Sequence, residues 1–503
     1  MSRPNFVFIM TDTQGANVIG SYGHPGTDTP CIDKLAKTGT RFTRAYTTCP
    51  LCTPARAGIF TGIYPHTAGA WTNNLPLGDN IKTMGHRFQD AGYRTAYVGK
   101  WHLDGHDYFG AGICPDGWEE TYWYDGKRYL EELSDNEIAL WRSGLSTVEE
   151  LHEHDIHAEF TWAHRISNRA IDFLETRTDA PYVLVVSYDE PHHPFTCPPE
   201  YAEKYADYEY PVGPAAFDTL ENKPAHQREW AASDKVALVN GRMRHPLYFG
   251  CNSFVDDEIG RVIDAAHEYS PDNTYCIFTS DHGDMLGAHG LHGKGPVMYE
   301  EITHMPLIIE QPGQKGAGDI NSTLVSHIDL LPTMLEIAGL ETPPILEGQS
   351  IVSMLQGQED SERDVIMEFN RYEIEHDSWG GFQPVRCVVN DQYKLVLNLL
   401  HTDELYDLKE DPAEVNNLID QRDHAHIRDE MHSRLLNWMY EKRDPFRGPC
   451  WERRPWQETR RLQWRGAFRP RPADGYAPEV REYDTGMPAH GPKNEFGGRK
   501  VLK

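Results

Sequence analysis

The stretch NFVFIM, residues 5–10, is a short apolar run that ends two residues before the acidic side chain of Asp12. An uninterrupted run of this length is typical of a strand that is buried on both faces of a parallel sheet. Similar runs occur at 94–98 (RTAYV), 182–187 (YVLVVS), 274–279 (TYCIFT) and 306–309 (PLII), with helix-like stretches between them at 31–38, 80–91, 162–175 and 252–267. Strands that alternate with helices predict an α/β fold, in which a large, mainly parallel mixed sheet is sandwiched by helices.

Polar side chains able to take part in chemistry follow four of these runs. In open parallel sheets, active sites gather beyond the carboxyl ends of the strands. The residues concerned are Asp12 after the first run, Lys100 and His102 after the second, His192 after the third, and Asp281 and His282 after the fourth. We therefore expect these side chains to meet at one edge of the sheet.

The chain of 503 residues is too long for one hydrophobic core, because single cores stop growing at about 250–300 residues. We predict a large α/β domain over 1–358 and a smaller C-terminal α+β domain over 364–441. Proline, glycine and charged residues dominate the segment 341–364 and are typical of a linker. Residues 442–503 are rich in Pro, Arg and Trp without periodicity, and we interpret them as a basic arm.

The net charge of −29 is unevenly spread, since residues 441–503 carry +6 and the remainder carries −35. The strong negative charge of residues 1–440, the acidic body of the protein, disfavours nonspecific attraction to nucleic acid or to anionic lipid. A basic arm on such a body is expected to lie on that body or on a neighbouring subunit, and we therefore predict a homo-oligomer. The sequence contains no run of about 18 apolar residues, which is the length that would predict a membrane span. The first apolar run is too short for the core of a signal peptide, so we expect a cytoplasmic location.

Nine cysteines are scattered without regular spacing, and their odd number does not indicate a disulfide framework. Cys49 and Cys52 form one C-x-x-C pair, which could be a redox pair or half of a zinc site. No second pair exists to complete such a zinc site. The residues after Cys52 indicate another use.

Two motifs follow one another in this part of the chain. Residues 52–56 read C-T-P-A-R, a match to C-x-P-x-R, and residues 92–102 read G-Y-R-T-A-Y-V-G-K-W-H. With both motifs the chain resembles the type I, formylglycine-dependent sulfatases of the alkaline-phosphatase superfamily, and its pattern is closest to bacterial carbohydrate sulfatases. The resemblance covers about 1–420 and includes further matches at 191–194 (PHHP), 280–283 (SDHG), Lys294, 326–333 (SHIDLLPT) and 404–408 (ELYDL).

This resemblance implies that Cys52 is the precursor of the nucleophile. In the family this cysteine is oxidised to formylglycine by a formylglycine-generating enzyme or an anaerobic sulfatase-maturating enzyme, and the hydrate of the aldehyde attacks sulfur. A geminal diol can release sulfate by collapsing to the aldehyde, so that one difficult step becomes two easier ones. Taken without the motifs, Cys52 would more simply be a small buried cysteine.

The resemblance also assigns a cationic pocket. Arg56 is implied to steady the diol, and Lys100 and Lys294 to bind the sulfate oxygens. The histidine that matches His192 protonates the leaving alkoxide, and the one that matches His102 assists deprotonation of the hemiacetal at residue 52. Histidine suits both tasks because its pKa lies near neutrality.

A divalent metal ion is implied at Asp12, Thr13, Cys52, Asp281 and His282. Two of these positions depart from the usual pattern. Thr13 stands where a second acid or amide is common, so that its hydroxyl or Gln14 could substitute, and His282 stands where calcium sulfatases often have Asn. We expect Ca²⁺, while Mg²⁺ or Mn²⁺ would also tolerate this mixture of carboxylate and imidazole.

The substrate is expected to be a small sulfated sugar, such as 6-O-sulfated glucosamine. Arg371, Glu373 and His376 lie in a stretch that could hydrogen-bond sugar hydroxyls, although a solvated charged loop would have the same composition. A phosphonate monoester or phosphodiester hydrolase, or a promiscuous arylsulfatase, would share the scaffold. A protein that binds sulfated sugars without cleaving them is the remaining alternative, for which Thr13 is the one hint.

Overall fold

The structure, a computed structural model, describes residues 3–24, 26–176, 178–233, 235–358, 363–373 and 382–457. Strands of a large sheet come first in the chain and those of a smaller sheet last. In chain order they are β1 (Asn5–Thr11), β2 (Thr40–Tyr46), β3 (Arg94–Gly99), β4 (Tyr182–Ser187), β5 (Tyr210–Pro211), β6 (Arg242–Met243), β7 (Thr274–Ser280), β8 (His304–Glu310), β9 (Ile320–Asn321), β10 (Val325–Ser326), β11 (Val365–Phe369), β12 (Val385–Val389), β13 (Tyr393–Asn398) and β14 (Glu404–Asp407).

The large sheet has the strand order β10-β2-β8-β7-β1-β4-β3, and β9 pairs with β2 outside this path. At its centre, Phe8 of β1 lies opposite Val185 of β4 and Ile277 of β7 in parallel register. β3 extends the parallel half beside β4, whereas β8 runs antiparallel to both β7 and β2. The prediction of a large, mainly parallel mixed sheet is confirmed.

Helices cover both faces of this sheet. Successive side chains of β1 point to opposite faces, so Val7 and Ile9 pack with α1, α8 and α11, while Phe6, Phe8 and Met10 pack with α2, α4 and α13. The helices are α1 (Pro30–Thr38), α2 (Cys52–Thr61), α3 (Pro65–Ala68), α4 (Met84–Asp90), α5 (Gly126–Glu131), α6 (Asp135–Ser143), α7 (Val148–Glu153), α8 (Trp162–Glu175), α9 (Pro199–Glu203), α10 (Ala225–Ser233), α11 (Pro246–Tyr269), α12 (Glu300–Thr303), α13 (Leu330–Ile337), α14 (Ala425–Glu441) and α15 (Pro449–Glu452).

Helix α11 is longer than the helical stretch predicted at 252–267. It begins six residues earlier, at Pro246, whose fixed φ angle and missing N–H suit the first turn of a helix. The ring of His245 caps this start, since its Nδ1 accepts the N–H of Tyr248 at 3.3 Å. The added turns bring Tyr248 close to the residues that follow β1, since its hydroxyl donates to the carbonyl oxygen of Thr13 at 2.9 Å.

The smaller sheet, β11 to β14, is antiparallel and ordered as in the sequence. Leu51 and Met298 of the large domain pack with Val385 on one of its faces. On the other face, Leu395 packs with Leu435 of α14. The smaller sheet is thus packed between the large domain on one face and α14 on the other.

The start of the predicted arm packs on the C-terminal domain. Trp451 of α15 is buried, and its carbonyl oxygen lies 2.7 Å from the ring Nε2 of His432. Arg454 makes two hydrogen bonds to Asp403, at 2.7 and 2.8 Å, and the indole of Trp456 donates to the same carboxylate at 2.8 Å. Residues 458–503 lie outside the described part, so an oligomer built on them stays a prediction.

The next two observations concern disulfides and membrane-spanning helices in the described residues. All nine cysteines lie at described positions, and none forms a disulfide. Within the same residues, no helix is long and apolar enough to cross a bilayer.

Candidate active site

The carboxyl ends of the parallel strands meet where the sequence predicts a site. Asp12 follows β1, Asp281 follows β7 and Lys100 follows β3, and all three side chains are fully buried. Asp189, two residues after β4, completes the group. The Nζ atom of Lys100 joins two of these strand ends, at 2.8 Å from Asp12 Oδ2 and 2.9 Å from Asp189 Oδ1.

Gly99 allows the chain to turn from β3 into this site. Its φ of +111° disfavours any residue with a side chain, and a Cβ atom there would lie 1.8 Å from the carbonyl oxygen of Ser187 on the neighbouring strand. The glycine before Lys100 in the second motif is therefore required by the close approach of two backbones.

Cys52 is the first residue of α2, and its side chain lies at the centre of the site. The Sγ atom is 2.6 Å from Lys294 Nζ, 3.1 Å from His282 Nε2, 3.8 Å from Asp12 Oδ1 and 3.9 Å from Lys100 Nζ. Burial and the charge of Asp12 raise the pKa of the thiol, but Lys100, Lys294 and His282 outweigh them and lower it to about 6. A helix N-terminus also favours negative charge at this position.

Asp12, Cys52, Asp281 and His282 form a cluster of potential metal ligands, whose donor atoms all lie within 4.8 Å of one another. His282 Nε2 is 3.6 Å from Asp12 Oδ1 and 3.7 Å from Asp281 Oδ1, separations that suit neighbouring ligands of one ion. The other ring nitrogen, Nδ1, donates to the carbonyl oxygen of Gly283 at 3.0 Å, which leaves the lone pair of Nε2 facing the carboxylates. These residues fit a divalent cation.

Arg56 holds the carboxylates of Asp12 and Asp281 in place. Its Nη2 donates to Asp12 Oδ2 at 3.0 Å and its Nε to Asp281 Oδ2 at 2.9 Å, with all three side chains fully buried. Its Nη1 donates to the carbonyl oxygen of Lys100 and to Ser187 Oγ, at 2.6 and 2.8 Å. In this structure Arg56 therefore orients the Asp side chains, in addition to any contact with the nucleophile.

Thr13, and not Gln14, lies beside the ligand cluster. The hydroxyl of Thr13 donates to Asp12 Oδ1 at 2.7 Å. The side chain of Gln14 is turned towards α11, where its amide donates to Asn252, and its carbonyl oxygen accepts from Thr11 at 2.8 Å. Of the two alternatives that the sequence leaves open, the position of Thr13 is the one that suits a role at the metal.

His192 lies near Asp189, the carboxylate that also contacts Lys100. Its Nδ1 is 2.8 Å from the carbonyl oxygen of His193 and 4.0 Å from Asp189 Oδ1. Because a carbonyl oxygen only accepts, this Nδ1 carries a hydrogen and Nε2 is the atom that can exchange a proton. Burial, with the charges of Lys100 and Lys294, holds the pKa of His192 well below its usual range.

The remaining predicted residues lie next to this group or beyond the described part. His102 is buried and its Nε2 is 3.1 Å from Asn74 Oδ1. The carbonyl oxygen of Arg371 accepts from the hydroxyl of Thr72, and Glu373 accepts from Asn74. His376 lies outside the described residues.

A cavity of about 510 Å³ opens onto Lys294. It brings together catalytic candidates, Tyr372 from the predicted sugar-binding stretch, and Asp284, which the sequence did not indicate. Asp189 was missed as well, although it follows a buried run in the same way as Asp12, and this signal could have found it. The lining includes Thr13, His192, His193, Phe195, His245, Asp284, Lys294 and Tyr372.

Comparison with protein families gives two matches. The sulfatase family model matches residues 4–340, and a model described as the C-terminal part of N-sulphoglucosamine sulphohydrolase matches residues 287–441. Together they cover both sheets and end at residue 441.

Two relatives span nearly the same length as this chain. An uncharacterized sulfatase of Escherichia coli (strain K12), YidJ, is 57% identical over 499 residues, which are 98% of this chain and 99% of the relative. An N-acetylglucosamine-6-O-sulfatase of Bacteroides thetaiotaomicron is 26% identical and covers 88% of each chain.

Solved structures share the fold. A protein bound to its substrate D-glucosamine-2-N,6-O-disulfate has a TM-score of 0.70 and 24% identity, covering 88% of this chain and 99% of that one. The phosphonate monoester hydrolase of Agrobacterium radiobacter has a TM-score of 0.71 and 24% identity, covering 88% and 96%. The family matches and the 57% identity decide the assignment: the chain belongs to the sulfatase family of hydrolases, within the alkaline-phosphatase superfamily.

Proposed function

We propose that this sulfatase hydrolyses a sulfate monoester with residue 52, converted from cysteine to formylglycine, as its nucleophile. The position of Cys52 Sγ carries this proposal, because it lies within 3.9 Å of two lysine ammonium groups and beside the Asp12–Asp281–His282 cluster. Once hydrated, formylglycine offers a second hydroxyl through which sulfate can be released. Lys100 and Lys294 would bind the sulfate oxygens and stabilise the charge that develops on them.

Asp12, Asp281, His282 and residue 52 would hold the divalent cation, with Thr13 beside them. Bound there, the ion would lower the pKa of the attacking hydroxyl and polarise a sulfate oxygen. Burial and the charge of Asp12 raise the pKa of Asp281 to about 7, so a nearby cation would relieve an unfavourable buried charge. We propose Ca²⁺, with Mg²⁺ or Mn²⁺ as alternatives because of the imidazole ligand. Metal analysis of the purified protein, with an Asp281→Asn variant as control, tests this.

His192 would donate the proton to the leaving alkoxide. A bound sulfate ester brings negative charge between Lys100 and Lys294, which offsets the two cations that depress the pKa of His192. Substrate binding therefore favours the protonated imidazole that a general acid needs. The family resemblance gives His102 the task of taking a proton at residue 52. Burial and the charges of Lys100 and Arg56 hold the pKa of His102 well below its usual range, so that the ring is neutral and can accept this proton.

We propose a small sulfated sugar, with 6-O-sulfated glucosamine as the first candidate. The cavity above Lys294 is of a size that takes a small ligand, and it combines the rings of Phe195 and Tyr372 with the carboxylate of Asp284. Such a mixture of apolar and polar groups suits one face and the hydroxyls of a sugar ring. The names of the glucosamine-sulfatase relative and of the disulfate-bound structure support the same substrate class.

A phosphonate monoester or phosphodiester hydrolase is the second candidate. The fold shared with a phosphonate monoester hydrolase and the His282 ligand both favour it. An aryl sulfate with a good leaving group would also fit the apolar wall of the cavity, so promiscuous arylsulfatase activity is compatible with the main proposal.

Two measurements on one preparation test the proposal. Mass spectrometry of the peptide that contains residue 52 should give a mass about 18 Da below that of the cysteine form, because sulfur and two hydrogens are exchanged for oxygen. Sulfate release should then be measured on mono- and disaccharides with defined sulfate positions. Converted protein that releases no sulfate would contradict the proposed substrate class. Cysteine retained in the native host would favour a binding protein over an enzyme.

A further inference from the structure

Three residues from distant parts of the chain form a hydrogen-bonded row beside the catalytic candidates. Glu373 Oε1 lies 2.6 Å from Asn74 Nδ2, and Asn74 Oδ1 lies 3.1 Å from His102 Nε2. The backbones of Asn73 and Glu373 also form a parallel bridge. Glu373, four residues after the end of β11, thus reaches the large domain at the position of His102.

The donors and acceptors of these three side chains fix the direction of the hydrogen bonds between them. A carboxylate accepts hydrogen bonds, so the amide nitrogen of Asn74 faces Glu373 and its carbonyl oxygen faces His102. Because that oxygen also only accepts, the hydrogen of the neutral His102 ring must be on Nε2. The lone pair is then on Nδ1, which is buried and has no hydrogen-bond partner among the described residues.

The backbone of His102 is fixed as well. Its φ is +57°, and its carbonyl oxygen accepts the hydroxyl of Thr53 at 2.9 Å. Thr53 directly follows Cys52, and its N–H donates to Asn73 Oδ1 at 3.0 Å. The contacts that orient His102 are therefore tied to the helix start that carries the nucleophile.

We propose that Asn74 and Glu373 are positioning residues that hold His102 in its Nε2–H tautomer and so present Nδ1 to the active site as the proton acceptor. The inference rests on the proposed function, in which His102 takes a proton at residue 52. It also gives Glu373 a role in orienting the catalytic group, in addition to the sugar binding that its sequence context suggests.

Enzyme kinetics test the positioning role, with 4-nitrophenyl sulfate as the probe and with residue 52 shown to be converted in every variant. Asn74→Ala should lower kcat by about 10- to 100-fold with little change in KM, as is usual when the partner that orients a catalytic ligand is removed. In a His102→Ala background the same change should have no further effect. Equal losses in both backgrounds would overturn the proposal.

A pair of conservative changes provides a rescue. Asn74→Asp alone keeps an acceptor for His102 but faces the Glu373 carboxylate, so we expect a loss in kcat. Combined with Glu373→Gln, whose amide can donate to the new carboxylate, it should regain most of that loss. A double variant as slow as Asn74→Asp alone would contradict the hydrogen-bond direction.

The tautomer itself can be observed without turnover. In long-range ¹H–¹⁵N spectra of ¹⁵N-histidine-labelled protein, the signals that disappear in His102→Gln belong to His102. They should show the Nε2–H pattern in the wild type and lose it in Asn74→Ala. An Nδ1–H pattern in the wild type would overturn the inference even if sulfate hydrolysis is observed. Wild-type protein that is converted but inactive towards sulfate esters would instead count against the proposed function.

Discussion

At the scale of single residues, Lys294 makes the shortest contact with Cys52, the proposed precursor of the nucleophile. Its Nζ is 2.6 Å from Cys52 Sγ and 3.0 Å from His282 Nε2, and it lies in a loop after β7. The net charge of −35 over residues 1–440 does not oppose an anionic substrate here, because the positive charge is local. Lys100, Lys294, Arg56 and the proposed cation supply it.

Replacing Lys294 with Ala should lower kcat/KM for a sulfate ester by roughly 10²- to 10³-fold, the usual cost of losing one group that stabilises developing charge. Lys34→Ala is the matched control, because Lys34 is exposed and its ion pair with Asp264 lies at the surface. Steady-state kinetics of both variants provide the comparison. Equal kcat/KM values for the two would contradict the assignment of Lys294.

Several site residues could be predicted from the sequence because motifs or strand ends carry them. Asp12, Cys52, Asp281 and His282 lie in one cluster, as expected. Asn74 could not be predicted in this way, since it neither follows a buried run nor belongs to a matched motif. It reaches the site through the pairing of its loop with the loop that carries Tyr372, about 300 positions away in the chain.

At the scale of elements, the turn from β3 into the site depends on Gly99. The first glycine of the same motif, Gly92, also has a positive φ of +81°. A Cβ atom on Gly92 would have no atom within 4 Å. The two glycines thus share a backbone conformation and differ in their surroundings.

We therefore expect Gly99→Ala to cost more than about 4 kcal/mol of unfolding free energy or to prevent folding, since the clash involves the backbone of a central strand. Gly92→Ala should cost only about 1–2 kcal/mol from its φ angle. Urea unfolding of the two variants measures the difference. Similar losses would show that the close approach at Ser187 relaxes.

His66 of α3 links the large domain to the smaller sheet. Its Nδ1 lies 2.5 Å from Glu368 Oε2 of β11, and its ring packs at the edge of Trp438 in α14. Burial lowers the pKa of His66, but the charge of Glu368 outweighs it and raises the pKa to about 9. The folded protein therefore binds this proton more tightly than the unfolded chain does.

Stabilisation by this pair should be complete below about pH 6.5 and should be lost as the pH rises through about 9. The difference in unfolding free energy between wild type and His66→Gln should shrink across this window by on the order of 3 kcal/mol. Urea unfolding at a series of pH values measures it. A difference that grows with pH would contradict the raised pKa.

The strands that the sequence predicts are those buried on both faces. β2 (TRFTRAY) escaped prediction because Thr and Arg interrupt its apolar positions without a regular alternation, and β9 and β10 have two residues each. Such short strands are set by pairing with β2, which only the folded chain brings into place.

At the scale of the whole molecule, the basic arm has two parts. Residues 449–457 pack on the C-terminal domain through Trp451, Arg454 and Trp456, while residues 458–503 lie outside the described part. We expect the second part to contact a neighbouring subunit, because it continues the basic composition next to an acidic body.

Deleting residues 458–503 should therefore reduce the molar mass measured by light scattering to that of a smaller assembly or a monomer. The cut leaves Trp451 and Arg454 in place, so that the C-terminal domain keeps its packing. An oligomer of unchanged mass, or a full-length chain that is already monomeric, would contradict the role of the arm.

The ratio of kcat/KM for a sulfate ester to kcat/KM for a phosphonate ester tests most directly whether the site favours sulfate. With residue 52 shown to be converted, kcat/KM should be measured for 4-nitrophenyl sulfate and for the phenylphosphonate ester of the same phenol. We predict a preference for the sulfate ester of at least about tenfold, or roughly 1.4 kcal/mol in transition-state stabilisation. A preference of that size for the phosphonate ester would contradict the proposed function.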